Sequence, residues 1–221
     1  MVDKLSIDSI LKNIKRESKF VAVAEDLSFS IAIEDYVPYI CAAIHNGSNL
    51  RRSLRDKIAL NKQERWHEED PLTGLFISSL PIRLIANDSR YEYDLNRSEK
   101  ECIYDEAWGK KVWNEPLNDD DRKTSIAKHR NFHKVASALV AKLLEKFNTC
   151  VIYDVHSYNH RNRDSEIPVF NIGTANVNTS KFRKYIDTWI DELRKIEIPH
   201  VVNIVEENAM FQGNGHFLKN L

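Results

Sequence analysis

The stretch YICAAIHNGSNLR, residues 39–51, shows the pattern on which the predicted fold rests. A short apolar run ends at His45 and passes into a polar loop that contains Gly47. Such a run is typical of a strand buried on both faces of a mainly parallel sheet. The stretch TCVIYDVHSYN, residues 149–159, repeats this design and ends its apolar run at His156. The sequence therefore predicts two central strands that each end at a histidine.

Other strands and helices alternate around these two runs. A long amphipathic helix is predicted after Asp119, because apolar residues from Phe132 to Phe147 recur at spacings of three and four. Alternation of strands with helices predicts an α/β fold with a doubly wound, mixed but mainly parallel sheet and helices on both faces. The remaining predicted strands are FVAVAED, FSIAIED, 82–88 and 200–205, and the remaining predicted helices lie near 6–16, 52–66, 72–80 and 180–195.

Composition limits the class of protein. A length of 221 residues with 42% hydrophobic residues predicts one α/β domain spanning residues 1–221. The formal net charge of −1 and the absence of a long basic run argue against nucleic-acid and membrane partners. No stretch approaches the roughly 20 apolar residues of a spanning helix. Three scattered cysteines and an N-terminus without signal-peptide features predict a reduced, cytoplasmic protein.

The two strand-end histidines, His45 and His156, are candidate metal ligands. Ligands gather at the carboxyl ends of strands in such sheets. Zinc in hydrolases often has two histidine ligands, one carboxylate ligand and an open position for water. The carboxylate could come from Glu68, Glu69 or Asp70 in the segment HEEDPLTG. The alternative is that these three acids only stabilise the N-terminus of the helix that follows.

Three other polar residues stand close to these elements. Asp154 precedes His156 by two residues and could orient its imidazole, or it could be an ordinary polar residue at a strand end. His129 and His133 are one helical turn apart, which is a spacing that can bind metal. They border a strongly apolar stripe, and no glutamate follows the first of them. A structural role is therefore the favoured interpretation of this pair.

The segment SRYEYDLNR, residues 89–97, is a candidate anion site. An arginine can bind a carboxylate through its planar fork and can hold the charge of a developing oxyanion. The simpler interpretation is a charged edge strand. In such a strand, alternation would place four polar residues on one side: Arg90, Glu92, Asp94 and Asn96.

The loop HSYNHRNRD, residues 156–164, directly follows the second candidate metal ligand. It contains Arg161 and Arg163, which could hold an anionic substrate beside the metal. The alternative interpretation is an ordinary basic surface loop, because loops at the surface are often basic.

The segments that carry these candidates stand in one order from about residue 38 to the end of the chain: IHNGSNLR, RWHEEDPLTG, SRYEYDLNR, DVHSYNHR, FNIGT and ENAMFQGN. Together they resemble the N-formylglutamate amidohydrolase family. The resemblance implies a zinc-carboxypeptidase-like α/β fold with one bound Zn²⁺. It also implies hydrolysis of a small anionic N-acyl amino acid, such as N-formyl-L-glutamate, to the amino acid and a carboxylate.

The resemblance assigns the metal ligands residue by residue. His45 and His156 match the histidine ligands of the family. The third ligand is expected among the acids of HEEDPLTG. Asp70 is favoured because it directly precedes the Pro-x-Thr segment, and Glu69 is the alternative.

The DLNR motif also resembles the aspartoacylases, in which another arginine precedes it at the spacing seen here. By that similarity Arg90 polarises the scissile carbonyl, while Asn96 and Arg97 hold the carboxylate of the substrate. Arg161 and Arg163 are expected to make secondary contacts with the anion.

One departure concerns the general base. The family usually carries a glutamate, the presumed base, on a strand after an FxGG-like segment, here FQGNG at residues 211–215. Leu221 follows only a few residues later, and Glu206 and Glu207 precede the segment. We therefore expect either a chain that lacks a C-terminal strand or another group that activates water. Two other functions stay open: a carboxypeptidase-like enzyme for short peptides, and a non-catalytic zinc- or anion-binding domain.

Overall fold

The computed structural model describes residues 2–159 and 167–221, and the chain divides into two compact units. The first unit comprises the described residues up to Asn159 together with Asn220–Leu221. The second comprises the described residues from 167 to Lys219. A single domain over residues 1–221 stays a prediction.

Most of the predicted strands are present, and the structure contains four further short strands that were not predicted from the sequence. β9 and β10 lie in the second unit and the other strands in the first. The strands within the described residues are β1 (Asp3–Leu5), β2 (Phe20–Ala24), β3 (Phe29–Ile33), β4 (Tyr39–Ala43), β5 (Ile82–Ala86), β6 (Glu106–Ala107), β7 (Lys110–Lys111), β8 (Val151–Asp154), β9 (Phe170–Ile172) and β10 (Val205–Glu207).

The helices range from single turns to one very long helix. In residues 2–159 and 167–221, no helix has both the length and the apolar composition to cross a membrane. The helices of this part of the chain are α1 (Ile7–Lys15), α2 (Arg52–Arg55), α3 (Lys62–Trp66), α4 (Thr73–Phe76), α5 (Asp119–Phe147), α6 (Thr179–Arg194) and α7 (His216–Lys219).

The first unit is built on a six-stranded mixed sheet with the order β1-β2-β3-β5-β4-β8. Neighbours pair in parallel at β1–β2, β5–β4 and β4–β8 and antiparallel at β2–β3 and β3–β5. The antiparallel pair β2–β3 is a hairpin, since the short connection 25–28 cannot hold a crossover helix. Leu27 adopts a positive φ of 63° in this turn. The predicted mixed α/β fold is confirmed.

Helical segments pack on both faces of this sheet. On one face, Phe29 of β3 meets Phe132 of α5 edge to face, with ring centroids 5.3 Å apart. On the other face, Cys41 and Ala43 of β4 are buried together with Ile77, which directly follows α4. The central strands are therefore apolar on both sides, as the uninterrupted run at residues 39–44 predicted.

Among the predicted elements whose bounds differ in the structure, two have an identifiable cause. The predicted helix at 52–66 is divided into α2 and α3, because Asn61 and Glu64 form a capping box that starts α3 anew. The predicted strand at 200–205 begins only at Val205. β10 pairs in parallel with β9 in the register Val205 to Phe170, and this tertiary pairing selects the bounds.

The second unit brings the FNIGT and ENAMFQGN segments together. A Cβ on Gly173 would lie 2.4 Å from the backbone nitrogen of Gly213, so only glycine permits this approach. The side chain of Asn208 accepts a hydrogen bond from the backbone nitrogen of Thr174 at 2.9 Å. The two segments therefore form one structural element, although helix α6 stands between them in the sequence.

Candidate metal centre

Three of the predicted site residues meet at the carboxyl ends of β4 and β8. His45 follows β4, His156 follows β8, and Asp70 follows α3. Their ligand atoms all lie within 4.8 Å of one another, and the two imidazole rings have centroids 4.9 Å apart. Because β4 and β8 are parallel neighbours, residues that follow their carboxyl ends come close together.

The loop after β4 holds Asp70 in place. The backbone nitrogen of Asp70 donates to the carbonyl oxygen of His45 at 3.0 Å, which joins the two candidate ligands directly. The side chain of Asn46 accepts from the backbone nitrogen of Gly74 at 2.9 Å. The hydroxyl of Thr73 donates to the carbonyl oxygen of Asp70 at 2.8 Å. The HNGSN and DPLTG segments are thus one hydrogen-bonded unit.

The same loop lies against the segment after β5. A Cβ on Gly47 would lie 2.2 Å from the carbonyl carbon of Asn87, so this position requires glycine. The backbone nitrogen of Ser89 donates to the carbonyl oxygen of Asn49 at 2.7 Å. This close approach brings the SRYEYDLNR segment beside the candidate ligands.

Asp94 is the centre of a hydrogen-bonded network beside His45. Its Oδ1 lies 2.8 Å from Nε2 of His45 and accepts the backbone N–H of Asn96 at 2.7 Å. Its Oδ2 accepts from Nη2 of Arg90 at 2.7 Å and from the hydroxyl of Tyr104. Asp94 is fully buried. One carboxylate therefore links a candidate metal ligand to the proposed catalytic arginine and to the proposed substrate-binding segment.

Residues 89–97 form turns, so the predicted edge strand at this segment is wrong. Four residues of an extended strand span about 13 Å, which would prevent the direct ion pair between Arg90 and Asp94. Glu92 contacts Arg51 instead, with Oε1 2.6 Å from Nη1, so it does not share one side with Arg90 and Asp94. Ion pairs with distant residues make the segment fold back on itself.

The second histidine has a matching arrangement. Nδ1 of His156 lies 2.7 Å from Oδ2 of Asp70, and its Nε2 lies 3.0 Å from Oδ2 of Asp154. His45 likewise directs Nδ1 towards Asp70 and Nε2 towards Asp94. Carboxylates bound to the outer nitrogen of a histidine typically fix the orientation of metal-binding imidazoles. The orienting position proposed for Asp154 is the one it occupies in the structure.

The charges of the cluster favour ionised carboxylates. Burial by itself would raise the pKa of the Asp70 carboxyl, but the hydrogen bond from His156 and the charge of His45 lower it overall. Burial would also raise the pKa of Asp94, but the charges of His45 and Arg90 hold it well below its usual range. The pKa of His156 would fall on burial, yet Asp154 and Asp70 raise it to about 10. The cluster is therefore a set of carboxylates that attracts positive charge.

The residues of the cluster fit a metal ion. Nδ1 of His45 is buried, has no hydrogen-bond partner among the described residues, and lies 3.3 Å from Oδ2 of Asp70. A buried nitrogen without a partner is costly, and a metal ion between His45, Asp70 and His156 would satisfy it. Two imidazole nitrogens and one carboxylate oxygen are a common donor set in hydrolytic metal sites. These three residues could bind a metal ion.

Glu69, the alternative third ligand, has other partners. Its Oε1 accepts from the hydroxyl of Ser89 at 2.5 Å and from Nη1 of Arg65 at 3.0 Å. Burial raises the pKa of Glu69, an effect that Ser89 and Arg65 oppose. The cluster of possible metal ligands contains Asp70 and not Glu69.

Arg90 is held rigidly beside the cluster. Its Nε and Nη2 donate to Asp94 at 3.1 and 2.7 Å, and its Nη1 donates to the carbonyl oxygen of Glu68 at 2.9 Å. The guanidinium lies 4.9 Å from the ring centroid of Trp108, a cation–π contact. A guanidinium has five N–H groups, so these three hydrogen bonds leave donors on Nη1 and Nη2 for a ligand oxygen.

The other predicted anion contacts differ in position. Asn96 is half-buried and Arg97 is exposed, and both directly follow Asp94 in the chain. Arg161 and Arg163 lie outside the described residues.

The two glutamates before the FQGNG segment lie on β10. Glu206 is exposed. The carboxylate of Glu207 accepts from the hydroxyl of Thr174 at 2.6 Å and pairs with Arg183 at 2.9 Å. The hydrogen bond from Thr174 lowers the pKa of Glu207, and Arg183 lowers it further. A carboxylate with a lowered pKa and two partners is a poor general base.

Comparison with known proteins gives the family. A family model described as N-formylglutamate amidohydrolase matches residues 37–219. The chain belongs to this family. The matched residues include the three members of the cluster and also Arg90, Asn96 and Arg97. Members of the N-formylglutamate amidohydrolase family hydrolyse amides, and this chain is therefore assigned to the amide hydrolases.

A solved structure has a similar fold. Gene product Atu2144 from Agrobacterium tumefaciens superposes with a TM-score of 0.64 over 83% of this chain and 74% of its own, at 14% sequence identity. At that identity the likeness concerns the fold alone. No curated protein matches this N-formylglutamate amidohydrolase family member.

Proposed function

We propose that this protein is a zinc-dependent amidohydrolase that cleaves N-formyl-L-glutamate or a similar N-acyl amino acid into the amino acid and a carboxylate. The observation that carries the proposal is the cluster of His45, Asp70 and His156, whose ligand atoms all lie within 4.8 Å of one another. It lies within residues 37–219, which match the family model.

His45, Asp70 and His156 would hold the zinc ion, while Asp94 and Asp154 would fix the two imidazole rings through their Nε2 atoms. A bound Zn²⁺ would supply Lewis acidity and a bound water with its pKa lowered to about 7. His156, whose pKa is raised to about 10, must lose its proton to bind a metal, so metal binding would release a proton from the cluster.

Arg90 would hold the negative charge that develops on the oxygen of the scissile carbonyl. Its guanidinium keeps N–H groups beyond those bound to Asp94 and Glu68. The carboxylate of Asp94 raises the pKa of Arg90 further above its usual value, against the effect of burial. A permanent, preoriented positive charge stabilises an oxyanion more in the transition state than in the ground state.

Asn96 and Arg97 would bind the carboxylate of the substrate amino acid, and Arg161 and Arg163 would add further contacts with the anion. The substrate class follows from this charge: a small anionic N-acyl amino acid suits a site with several arginines. The formal net charge of −1 argues against a nucleic-acid partner, and we propose a cytoplasmic location.

The proposal is tested by zinc content and by formate release from N-formyl-L-glutamate. The wild-type protein should carry about one zinc per chain. His45→Ala and His156→Ala should lose both the zinc and the activity, whereas His200→Ala, at an exposed position on the second unit, should keep both. Full metal retention in His45→Ala and His156→Ala would exclude the site.

A second set of substrates separates the proposal from its alternatives. Turnover of short peptides but not of N-formyl-L-glutamate would indicate a carboxypeptidase-like enzyme. Stoichiometric zinc without turnover of either class would indicate a binding domain. Glu206→Gln and Glu207→Gln should leave formate release unchanged, since Glu207 is already bound to Thr174 and Arg183.

A further inference from the structure

Helix α5 presents two histidines to the backbone of the DLNR motif. Nε2 of His133 lies 3.1 Å from the carbonyl oxygen of Leu95, and Nε2 of His129 lies 3.0 Å from the carbonyl oxygen of Arg97. A carbonyl oxygen only accepts hydrogen bonds, so Nε2 carries the proton in both rings. The two histidines therefore donate to the carbonyl oxygens on either side of Asn96.

The opposite edge of this segment is hydrogen-bonded to Asp94, which contacts the candidate metal ligand His45. The backbone N–H of Asn96 donates at 2.7 Å to Oδ1 of Asp94, which also lies 2.8 Å from Nε2 of His45. The backbone from Leu95 to Arg97 is thus held on one side by α5 and on the other by a carboxylate that contacts a candidate metal ligand.

Helix α5 also holds the beginning of the same loop. Nζ of Lys128, the residue before His129, lies 2.9 Å from Oδ2 of Asp88 and 3.3 Å from Oε1 of Glu92. One helix therefore holds both halves of the segment from Asp88 to Arg97. A rigid helix fixes a loop more accurately than the loop can fix itself.

We infer that His129 and His133 are positioning residues that fix the Leu95–Arg97 backbone, so that Asn96 and Arg97 face the carboxylate of the substrate. The inference rests on the proposed function for its substrate. With Nε2 of each ring directed at a backbone carbonyl, the pair acts on the loop by hydrogen bonding and not by binding a metal. Both residues would act through the Leu95–Arg97 backbone and not on the reacting atoms themselves.

The test compares variants that remove the donor with variants that keep one. His129→Leu and His133→Leu remove the N–H group, while His129→Gln and His133→Gln retain a side-chain N–H at a similar reach. Lys134→Leu, on the exposed side of the same helix, is the matched control. Each leucine variant should raise KM for N-formyl-L-glutamate about tenfold, the net worth of one hydrogen bond, with kcat and zinc content unchanged.

Rescue decides between positioning and general stability. Both glutamine variants should return KM to within a few-fold of wild type, and Lys134→Leu should leave it unchanged. A fall in kcat with constant KM, or a failure of glutamine to restore KM, would overturn the inference.

Amide hydrogen exchange separates this inference from the proposed function. In the leucine variants the backbone N–H of Asn96 should exchange faster than in wild type, whether or not the protein turns over substrate. Unchanged exchange would overturn the inference even in an active enzyme. Faster exchange in a protein without binding or turnover of N-formyl-L-glutamate would refute the proposed function and leave the fixing of the backbone standing.

Discussion

The two histidine sides of the candidate metal centre share one design and differ in burial. Each histidine follows a parallel strand, directs Nδ1 towards Asp70 and binds an aspartate through Nε2. The His45 side chain is 2% exposed and its partner Asp94 is 0% exposed, whereas the His156 side chain is 32% exposed. We call His45 with Asp94 the buried side, and His156 with Asp154 the open side.

The difference in burial follows from where the aspartate partner of each histidine lies in the sequence. On the open side, Asp154 lies two residues before His156 at the end of the same strand. On the buried side, Asp94 lies in a loop 49 residues after His45. Its carboxylate also accepts hydrogen bonds from Arg90 and Tyr104. Local geometry is enough for the open side, while the buried side depends on the tertiary structure. A change on the buried side should therefore damage the fold as well as the site.

The largest effect is expected from Asp94→Ala. It leaves Arg90 and His45 buried without their common carboxylate, and loss of one partner from a buried ion pair costs about 3–5 kcal/mol of unfolding free energy. Asp154→Ala should cost only about 1 kcal/mol, because its partner is partly exposed. Urea denaturation of the metal-free proteins measures both values, and equal losses would contradict the distinction between the two sides.

The second prediction concerns metal affinity on the open side. Asp154→Asn replaces the carboxylate that orients His156 by a neutral amide. The affinity for zinc should therefore fall about 10–100-fold, with little change in the free energy of unfolding. Competition with a zinc chelator measures the affinity. Asp187→Asn, on the exposed surface of α6, is the control. An unchanged zinc affinity in Asp154→Asn would show that His156 does not need this partner.

The third prediction uses pH to probe Asp88, at the start of the segment that carries Asp94. Burial, and then the charge of Glu92, raise the pKa of Asp88 to about 6, against the effects of Lys128 and Tyr93. The folded state then binds a proton more tightly than the unfolded state. The contribution of Asp88 to the free energy of unfolding therefore falls as pH rises from about 4 to 6. Relative to Asp88→Asn, the wild type should lose about 2 kcal/mol of unfolding free energy between these two pH values.

Urea denaturation at several pH values tests this, because the difference between the two proteins removes the contributions of other carboxyls. A difference that stays constant, or that grows in favour of wild type as pH rises, would contradict the raised pKa of Asp88.

The smallest effect is expected for the substrate anchor. Arg97→Ala should weaken glutamate binding about tenfold, the loss of one charge-assisted contact at an exposed position. Arg163→Ala, which follows the open side in sequence, should weaken it less, as a secondary contact. Calorimetric titration with glutamate measures both, with zinc content as the control. An unchanged dissociation constant in Arg97→Ala would remove it as the anchor.

Much of the candidate site could be predicted from local sequence patterns. The apolar runs that end at His45 and His156 predicted where both strands end, and parallel pairing of these strands then brings the two histidines together. Asp154 could be predicted because alternation in a strand relates it directly to His156. The choice of Asp70 over Glu69 agrees with the cluster, although periodicity in HEEDPLTG did not favour either residue.

The rest depends on contacts between distant segments. Asp94 was expected only as one polar residue of a strand, in which Arg90 would lie too far away to pair with it, and nothing near Asp94 in sequence reveals His45 or Tyr104 as partners. The strand at 200–205 was misplaced for a similar reason, since the partner β9 selects its bounds. His129 and His133 were interpreted as structural residues, but their hydrogen bonds to the DLNR backbone had no sequence signal.

The sequence by itself determined the α/β class, the helix α5 and the residue types available at the ends of β4 and β8, because hydrophobic periodicity and strand-end polarity are local properties. Only the tertiary structure decided that residues 89–97 turn back, that Asp94 contacts His45, and that α5 holds this loop. These features depend on pairing buried charges, which lowers the free energy only when partners from several segments meet in one place.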